Sequence, residues 1–233
     1  MDNETVKGHI KNGIIISCQA LEDEPMYSEN GGVMPLFAKA AQQAGAKGIR
    51  ANTVRDILEI KEVVDLPMIG IIKKVYGDCK VFITPTMKEI DELVKTGVEI
   101  IAMDATLRQR PDGKSIDQVF RQAKEKYPDQ LFMADCSTFE DAMNAAKLGF
   151  DFIGTTLNGY TDETMDEEKP NFALVEKIVK NTYVPVIAEG SIIQPEQGRK
   201  MLESGAYSFV VGGAITRPLQ IAQRFVNEIK SFS

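Results

Sequence analysis

The stretch Leu131-Phe132-Met133-Ala134-Asp135-Cys136-Ser137-Thr138-Phe139-Glu140-Asp141-Ala142-Met143-Asn144-Ala145-Ala146-Lys147-Leu148-Gly149-Phe150-Asp151-Phe152-Ile153-Gly154 contains a whole strand–helix–strand unit. Leu131 to Asp135 is a short apolar run of the length a buried strand takes, and its last residue is charged. Ser137-Thr138-Phe139-Glu140 resembles a capping box, in which a hydroxyl and an acidic side chain satisfy the first free N–H groups of a helix. Phe139, Ala142, Ala145 and Ala146 then recur at helical spacing, and Gly149 follows where a left-handed turn would end that helix. Asp151 to Gly154 begins the next strand.

The same pattern extends in both directions. Strand-like runs fall at Ile14 to Gln19, Gly48 to Asn52, Met68 to Lys73, Glu99 to Asp104, Val186 to Glu189 and Ser208 to Gly212, which with the two above make eight. Helical spacing follows them, as in Met87, Ile90, Leu93 and Val94. Gly45, Gly97 and Gly205 close helices, and Pro195 and Pro218 stand where a first helical turn begins. Strands alternating with helices eight times predict a single-domain (βα)8 TIM barrel of the phosphate-binding type over residues 1–233. The competing arrangement is an open doubly wound sheet, and no G-x-G-x-x-G follows the first strand to support it.

Composition agrees with an ordinary globular domain. The chain is 43% hydrophobic and 26% charged, enough to bury a large core. No apolar run approaches the roughly 20 residues that cross a bilayer, and the first residues lack a signal-peptide core, so a cytoplasmic, soluble protein is expected. Cys18, Cys79 and Cys136 are widely spaced and form no C-x-x-C pair, which argues against disulfides and zinc and for small packing residues. A net charge of -7 disfavours nucleic acid as a partner. A small anion stays allowed, because local N–H groups and a few cations outweigh distant charge.

In such a barrel the last side chains of each strand point into the mouth, where ligands bind. Here those positions read Gln19, Arg50 and Asn52, Lys73, Asp104, Asp135, Thr155 and Thr156, Glu189, then Gly212 and Gly213. Lys73 and Glu189 end the third and seventh strands, which face one another across an eight-stranded ring. Partial burial lowers a lysine pKa and raises that of a glutamate, bringing both toward neutral pH as an acid/base pair. A direct salt bridge between the two is the bland alternative, and Lys74 competes with Lys73 for the inward position.

After the seventh and eighth strands come Glu189-Gly190-Ser191 and Val211-Gly212-Gly213-Ala214, with Arg217 just beyond. Gly190, Gly212 and Gly213 let the backbone approach a phosphate, and Arg217 adds a forked cationic contact. The irregular stretch 157–170, rich in Asp and Glu, is either a solvated loop or a lid over the mouth. The single histidine, His9, precedes the first strand, so neither a His triad nor a metal cluster is expected, and no cofactor.

The segments Ser17-Cys18-Gln19-Ala20, Ile49-Arg50-Ala51-Asn52, Ile72-Lys73-Lys74-Val75-Tyr76, Asp104-Ala105-Thr106-Leu107-Arg108, Ala134-Asp135-Cys136-Ser137-Thr138, Ala188-Glu189-Gly190 and Val211-Gly212-Gly213-Ala214-Ile215-Thr216-Arg217-Pro218 together resemble the bacterial N-acetylmannosamine-6-phosphate 2-epimerases, in order along nearly the whole chain. The resemblance implies interconversion of N-acetylmannosamine 6-phosphate and N-acetylglucosamine 6-phosphate in sialic acid and amino sugar catabolism. It implies Lys73 and Glu189 as the catalytic pair, with Gln19, Arg50, Asp135 and Arg217 holding the sugar, its acetamido group or its phosphate. It also implies a homodimer, in which a terminal helix such as Leu219 to Ile229 would share the interface. The residues alone leave open a one-base, two-base or substrate-assisted route, another phosphate-binding barrel enzyme, and a sugar-phosphate sensor without turnover.

Overall fold

Short strands that are apolar on both faces have to be covered on both, and this chain covers one face with helices and the other with the strands themselves. The computed structural model describes residues 1–232. The strands are β1 (Ile14–Cys18), β2 (Gly48–Asn52), β3 (Met68–Ile71), β4 (Ile100–Asp104), β5 (Leu131–Asp135), β6 (Phe152–Gly154), β7 (Val186–Glu189) and β8 (Ser208–Val211). The helices are α1 (Asn3–Ile10), α2 (Met34–Gln43), α3 (Val54–Lys61), α4 (Met87–Val94), α5 (Ile116–Lys126), α6 (Phe139–Leu148), α7 (Phe172–Asn181), α8 (Pro195–Glu203) and α9 (Pro218–Ser231). All strands pair in parallel in sequence order, and β8 pairs back to β1 through Ile14 and Phe209, closing the barrel.

The period of two along each strand divides the core. Ile15, Ile69, Ile71, Ile100, Leu131, Met133, Phe152, Ile187 and Val210 form the packed interior, while Ile16, Ile49, Ile101, Phe132, Ile153 and Ala188 belong to the layer beneath the helices. Burying each large side chain contributes roughly 1.5–3 kcal/mol, so the interior is a filled core rather than a channel.

Local punctuation follows the sequence. Gly45, Gly97, Gly149 and Gly205 all have positive φ, between 65° and 93°, and Pro195 and Pro218 each open a helix. The capping box is displaced by one residue. Thr138 caps α6 with Asp141 as its partner, because the Asp141 carboxylate accepts from the backbone N–H groups of both Ser137 and Thr138.

Two further differences matter. α1 precedes the first strand and was not anticipated, since a helix of 8 residues with only Val6 and Ile10 buried carries little periodic signal. Those two side chains join the interior cluster and stopper the amino-terminal end of the barrel. The stretch 157–170 is solvated on one side and packed on the other. Leu157, Asn158, Thr161 and Thr164 are buried, and Ser137 Oγ lies 2.6 Å and 2.8 Å from the hydroxyls of Thr161 and Thr164. Its acidic residues face outward, and the segment forms a wall of the mouth.

Candidate active site

The inward parity continues past the ends of the strands. Ile15 leads to Ser17 and Gln19, Ile187 to Glu189, and Val210 to Gly212, so a polar layer caps the apolar interior. A cavity of about 660 Å³ opens above it. Gln19, Lys73, Thr156 and Glu189 line its lower part, and Gly190, Gly212, Gly213 and Arg217 line its rim.

Lys73 stands two residues beyond β3, not within it. The backbone beyond Ile71 leaves the barrel and pairs with residues 82–84. Lys74 N–H donates to Phe82 O at 2.8 Å, and Thr84 N–H to Ile72 O at 2.8 Å. The amide of Lys73 itself donates to Asn52 Oδ1 at 2.9 Å. This short hairpin aims Lys73 into the cavity, whereas Lys74 is exposed. Burial, reinforced by the guanidinium groups of Arg50 and Arg217, lowers the Lys73 pKa to about 8.

Across the mouth, Glu189 is tied to β6 and β2. Its amide donates to Thr155 Oγ1 at 3.0 Å, while its carboxylate Oε2 lies 3.2 Å from Thr156 Oγ1 and 3.2 Å from Arg50 Nη1. Burial raises its pKa, and the neighbouring Asp135 carboxylate adds to the rise against the opposing pull of Arg50. Among the described residues the ion-pair partner of Glu189 is Arg50, not Lys73. The direct lysine–glutamate bridge is therefore absent from this geometry, and both groups face the same cavity.

Arg50 and Asp135 lie deeper than the expected ligand contacts. Arg50 donates through Nη1 and Nη2 to the two Asp135 oxygens at 3.1 Å and 2.6 Å, and the pair is fully buried at 1% and 0% exposure. Thr156 Oγ1 donates to Asp135 Oδ1 at 2.6 Å. A forked pair of this kind satisfies charges that would otherwise be costly to bury, and here it forms a platform under Glu189. Gln19 donates from Nε2 to Ser17 Oγ at 2.6 Å, leaving its buried Oε1 with no partner among the described residues.

At the rim, Gly190 has φ 126° and Ser191 φ 56°, the latter a costly conformation for a residue with a side chain. A Cβ on Gly213 would fall 2.2 Å from Oε1 of the flexible Gln220 side chain on α9, which would have to swing aside. Ile215 and Thr216 donate back to Gly212 O, and this turn runs straight into α9 with no separate short helix. Arg217 Nε donates to Glu24 Oε1.

Glu24, Ser17, Phe82 and Tyr160 line the cavity without having been anticipated. Strand parity, counted back from Gln19, could have found Ser17. Nothing local separates Glu24 from its neighbours Glu22 and Asp23. Among the described residues no group of three or more His, Cys, Asp and Glu side chains is arranged to hold a metal ion, and no helix is long and apolar enough to cross a membrane.

A closed parallel barrel with a polar cavity at the carboxyl ends of its strands, floored by a lysine and a carboxylate, defines a (βα)8-barrel enzyme of the kind that works at that rim. The family model described as "Putative N-acetylmannosamine-6-phosphate epimerase" matches residues 34–231, and the chain belongs to this family. Relatives named "Putative N-acetylmannosamine-6-phosphate 2-epimerase" include one from Listeria welshimeri, 50% identical over 98% of this chain and 97% of its own, and one from Borreliella afzelii, 53% identical over 94% and 95%. The solved N-acetylmannosamine-6-phosphate 2-epimerase from Clostridium perfringens superposes with a TM-score of 0.90 at 50% identity, covering 95% of each chain. The thiamine phosphate pyrophosphorylase from Pyrococcus furiosus shares the fold alone, with a TM-score of 0.60 at 17% identity over 95% of this chain and 97% of its own.

Proposed function

We propose that this chain interconverts N-acetylmannosamine 6-phosphate and N-acetylglucosamine 6-phosphate, one of Lys73 and Glu189 removing the C2 proton and the other supplying its replacement. The observation that carries this reading is the convergence of the two side chains on one cavity from opposite sides of a closed ring, with burial shifting their pKa values toward each other. Family membership supplies the sugar.

The C2 hydrogen becomes acidic only when the ring opens and C1 is a carbonyl, since the electron pair left behind then delocalises as an enolate. One of the two groups takes the proton, and the other, holding its own, delivers a proton to the opposite face of C2. The enolate collapses to the C2 epimer, and the pair has exchanged a proton overall. A protonated Lys73 also stabilises the enolate oxygen. Gln19 Oε1 is a ready acceptor for a sugar hydroxyl or the acetamido N–H. Gly190, Gly212, Gly213 and Arg217 receive the phosphate, which anchors the sugar away from the reacting carbon. Arg50 and Asp135 act from beneath, holding Glu189.

One barrel domain, working in the cytoplasm in sialic acid and amino sugar catabolism, carries the activity as half of a homodimer. The amphipathic α9 supports the dimer. Gln220, Gln223, Arg224 and Asn227 face the cavity, while Leu219, Phe225 and Val226 are turned to solvent at 48%, 73% and 50% exposure, an apolar surface suited to a second copy.

NMR of N-acetylmannosamine 6-phosphate incubated with the protein in deuterated water tests the reading. The expected result is the C2 epimer with deuterium at C2. Binding without turnover would make the protein a sensor, and turnover of pentose phosphates in preference to amino sugars would move it to another phosphate-binding barrel activity.

A further inference from the structure

We propose that Glu24 is a positioning residue for the phosphate grip, holding the Arg217 guanidinium so that its two terminal nitrogens present themselves to the ligand. The inference rests on the reading that Arg217 receives the phosphate.

Glu24 lies in the loop between β1 and α2, and both of its carboxylate oxygens are engaged. Oε2 accepts from the backbone N–H of Leu21 at 2.7 Å, and Oε1 accepts from Arg217 Nε. Its backbone is fixed as well, since Glu24 N–H donates to Leu21 O at 2.8 Å and Tyr27 N–H donates to Glu24 O at 2.9 Å. The far end of the loop is fastened to α3, where Arg55 Nη1 donates to Glu29 O at 2.7 Å and Gly32 N–H to Glu59 Oε2 at 2.8 Å. The carboxylate is thus a fixed point in a braced turn rather than a mobile surface group.

A guanidinium has five N–H donors in one plane. With Nε taken by Glu24, and no other acceptor bonded to Arg217 among the described residues, the Nη1 and Nη2 edge is left for a ligand. That edge spans two oxygens of a phosphate monoester in a forked contact. Glu24 and Arg217 line the cavity together with Gly212 and Gly213. Holding the long arginine side chain in place before the ligand arrives removes an ordering cost from binding. The opposing effect, repulsion between the Glu24 carboxylate and the phosphate, acts across a solvent-open rim where Glu24 and Arg217 are 21% and 26% exposed, and screening weakens it there. Orientation outweighs repulsion.

The test compares variants that separate geometry from charge, using inhibition by inorganic phosphate and turnover of the phosphorylated sugar. Glu24→Asp keeps the charge and withdraws the oxygen by one methylene. It is expected to raise both the phosphate inhibition constant and KM about tenfold with kcat within about twofold. Glu24→Ala is expected to do the same. Glu24→Gln removes the charge and keeps one acceptor for Arg217 Nε, with its NH2 set against the Leu21 N–H that Oε2 accepted from, so a loss larger than about threefold but smaller than that of Glu24→Asp is expected. An inhibition constant unchanged or tightened in Glu24→Asp, or Glu24→Gln binding phosphate worse than Glu24→Asp, would overturn the proposal. Arg217→Ala distinguishes the two levels of failure. If it leaves phosphate inhibition intact, the reading of Arg217 itself is wrong; if it abolishes inhibition while the Glu24 variants do not weaken it, only the role of Glu24 is lost.

Discussion

The floor and the rim of the mouth are built on opposite principles. On the floor, Arg50, Asp135, Thr156 and Glu189 form a buried network in which both Asp135 oxygens and Glu189 Oε2 are engaged. On the rim, Arg217 and Glu24 are 26% and 21% exposed and stand beside the two glycine turns. Charges in a low-dielectric floor act strongly and tolerate no loss of a partner, whereas rim charges are partly screened and act through where they are held. Floor variants should therefore damage turnover or the fold, and rim variants should damage affinity.

The largest effect is expected at the two proposed proton carriers. Lys73→Ala and Glu189→Gln should each lower kcat by on the order of 10³-fold or more, with circular dichroism and thermal melting close to the parent. Near-normal turnover in either variant would remove that residue from the mechanism. Asp135→Ala tests the platform. It leaves Arg50 buried with only its Glu189 contact, and a loss of about 3 kcal/mol is expected in denaturant unfolding, the low end for breaking a buried pair because that contact survives. A loss below about 1 kcal/mol, the value of an exposed pair, would erase the distinction between floor and rim.

A smaller effect concerns pH. The active pair holds one proton between its two members, and the forms with Lys73 or Glu189 as the base are proton isomers that share one pH dependence. Lys73 is neutral above about 8, so beyond that value the pair has no proton to deliver and kcat/KM should fall about tenfold per pH unit in both directions of reaction. A steady rise through pH 8 would instead make Lys73 the sole base. The smallest effect is expected from Asn52→Ala, which removes the hydrogen bond to the Lys73 amide. One neutral hydrogen bond is worth about 1 kcal/mol, so kcat should drop about fivefold while KM holds.

Much of this arrangement was legible from local signals. Strand lengths, helix-ending glycines and helix-opening prolines are decided by neighbours in the chain, and all eight strands fell within two residues of their observed ends. Alternation separated Lys73 from Lys74 only weakly, and Lys73 faces the cavity although β3 stops at Ile71 because the hairpin preserves its inward aim. The pairing of Arg50 with Asp135 spans 85 positions and depends on how the ring closes, which no local pattern contains. Arg50 and Asp135, expected at the ligand, lie buried against one another, with Arg50 Nη1 3.2 Å from Glu189 Oε2. Glu24 was hidden for a related reason, since its significance comes from Arg217, 193 positions away. The misplaced capping box reflects true local degeneracy, because Ser137 and Thr138 both carry the required hydroxyl, and Asp141 decided between them.

Val6 and Ile10 seal the amino-terminal end of a barrel whose interior is already filled, so the mouth is the one way in among the described residues. A vessel with one opening makes sugar, water and exchanging hydrogen use the same door. The fraction of label entering at C2 therefore reports how fast the proton carriers exchange with water relative to turnover. Shortening the chain from its first residue would leave the interior packed but wet Ile15 and its neighbours from below.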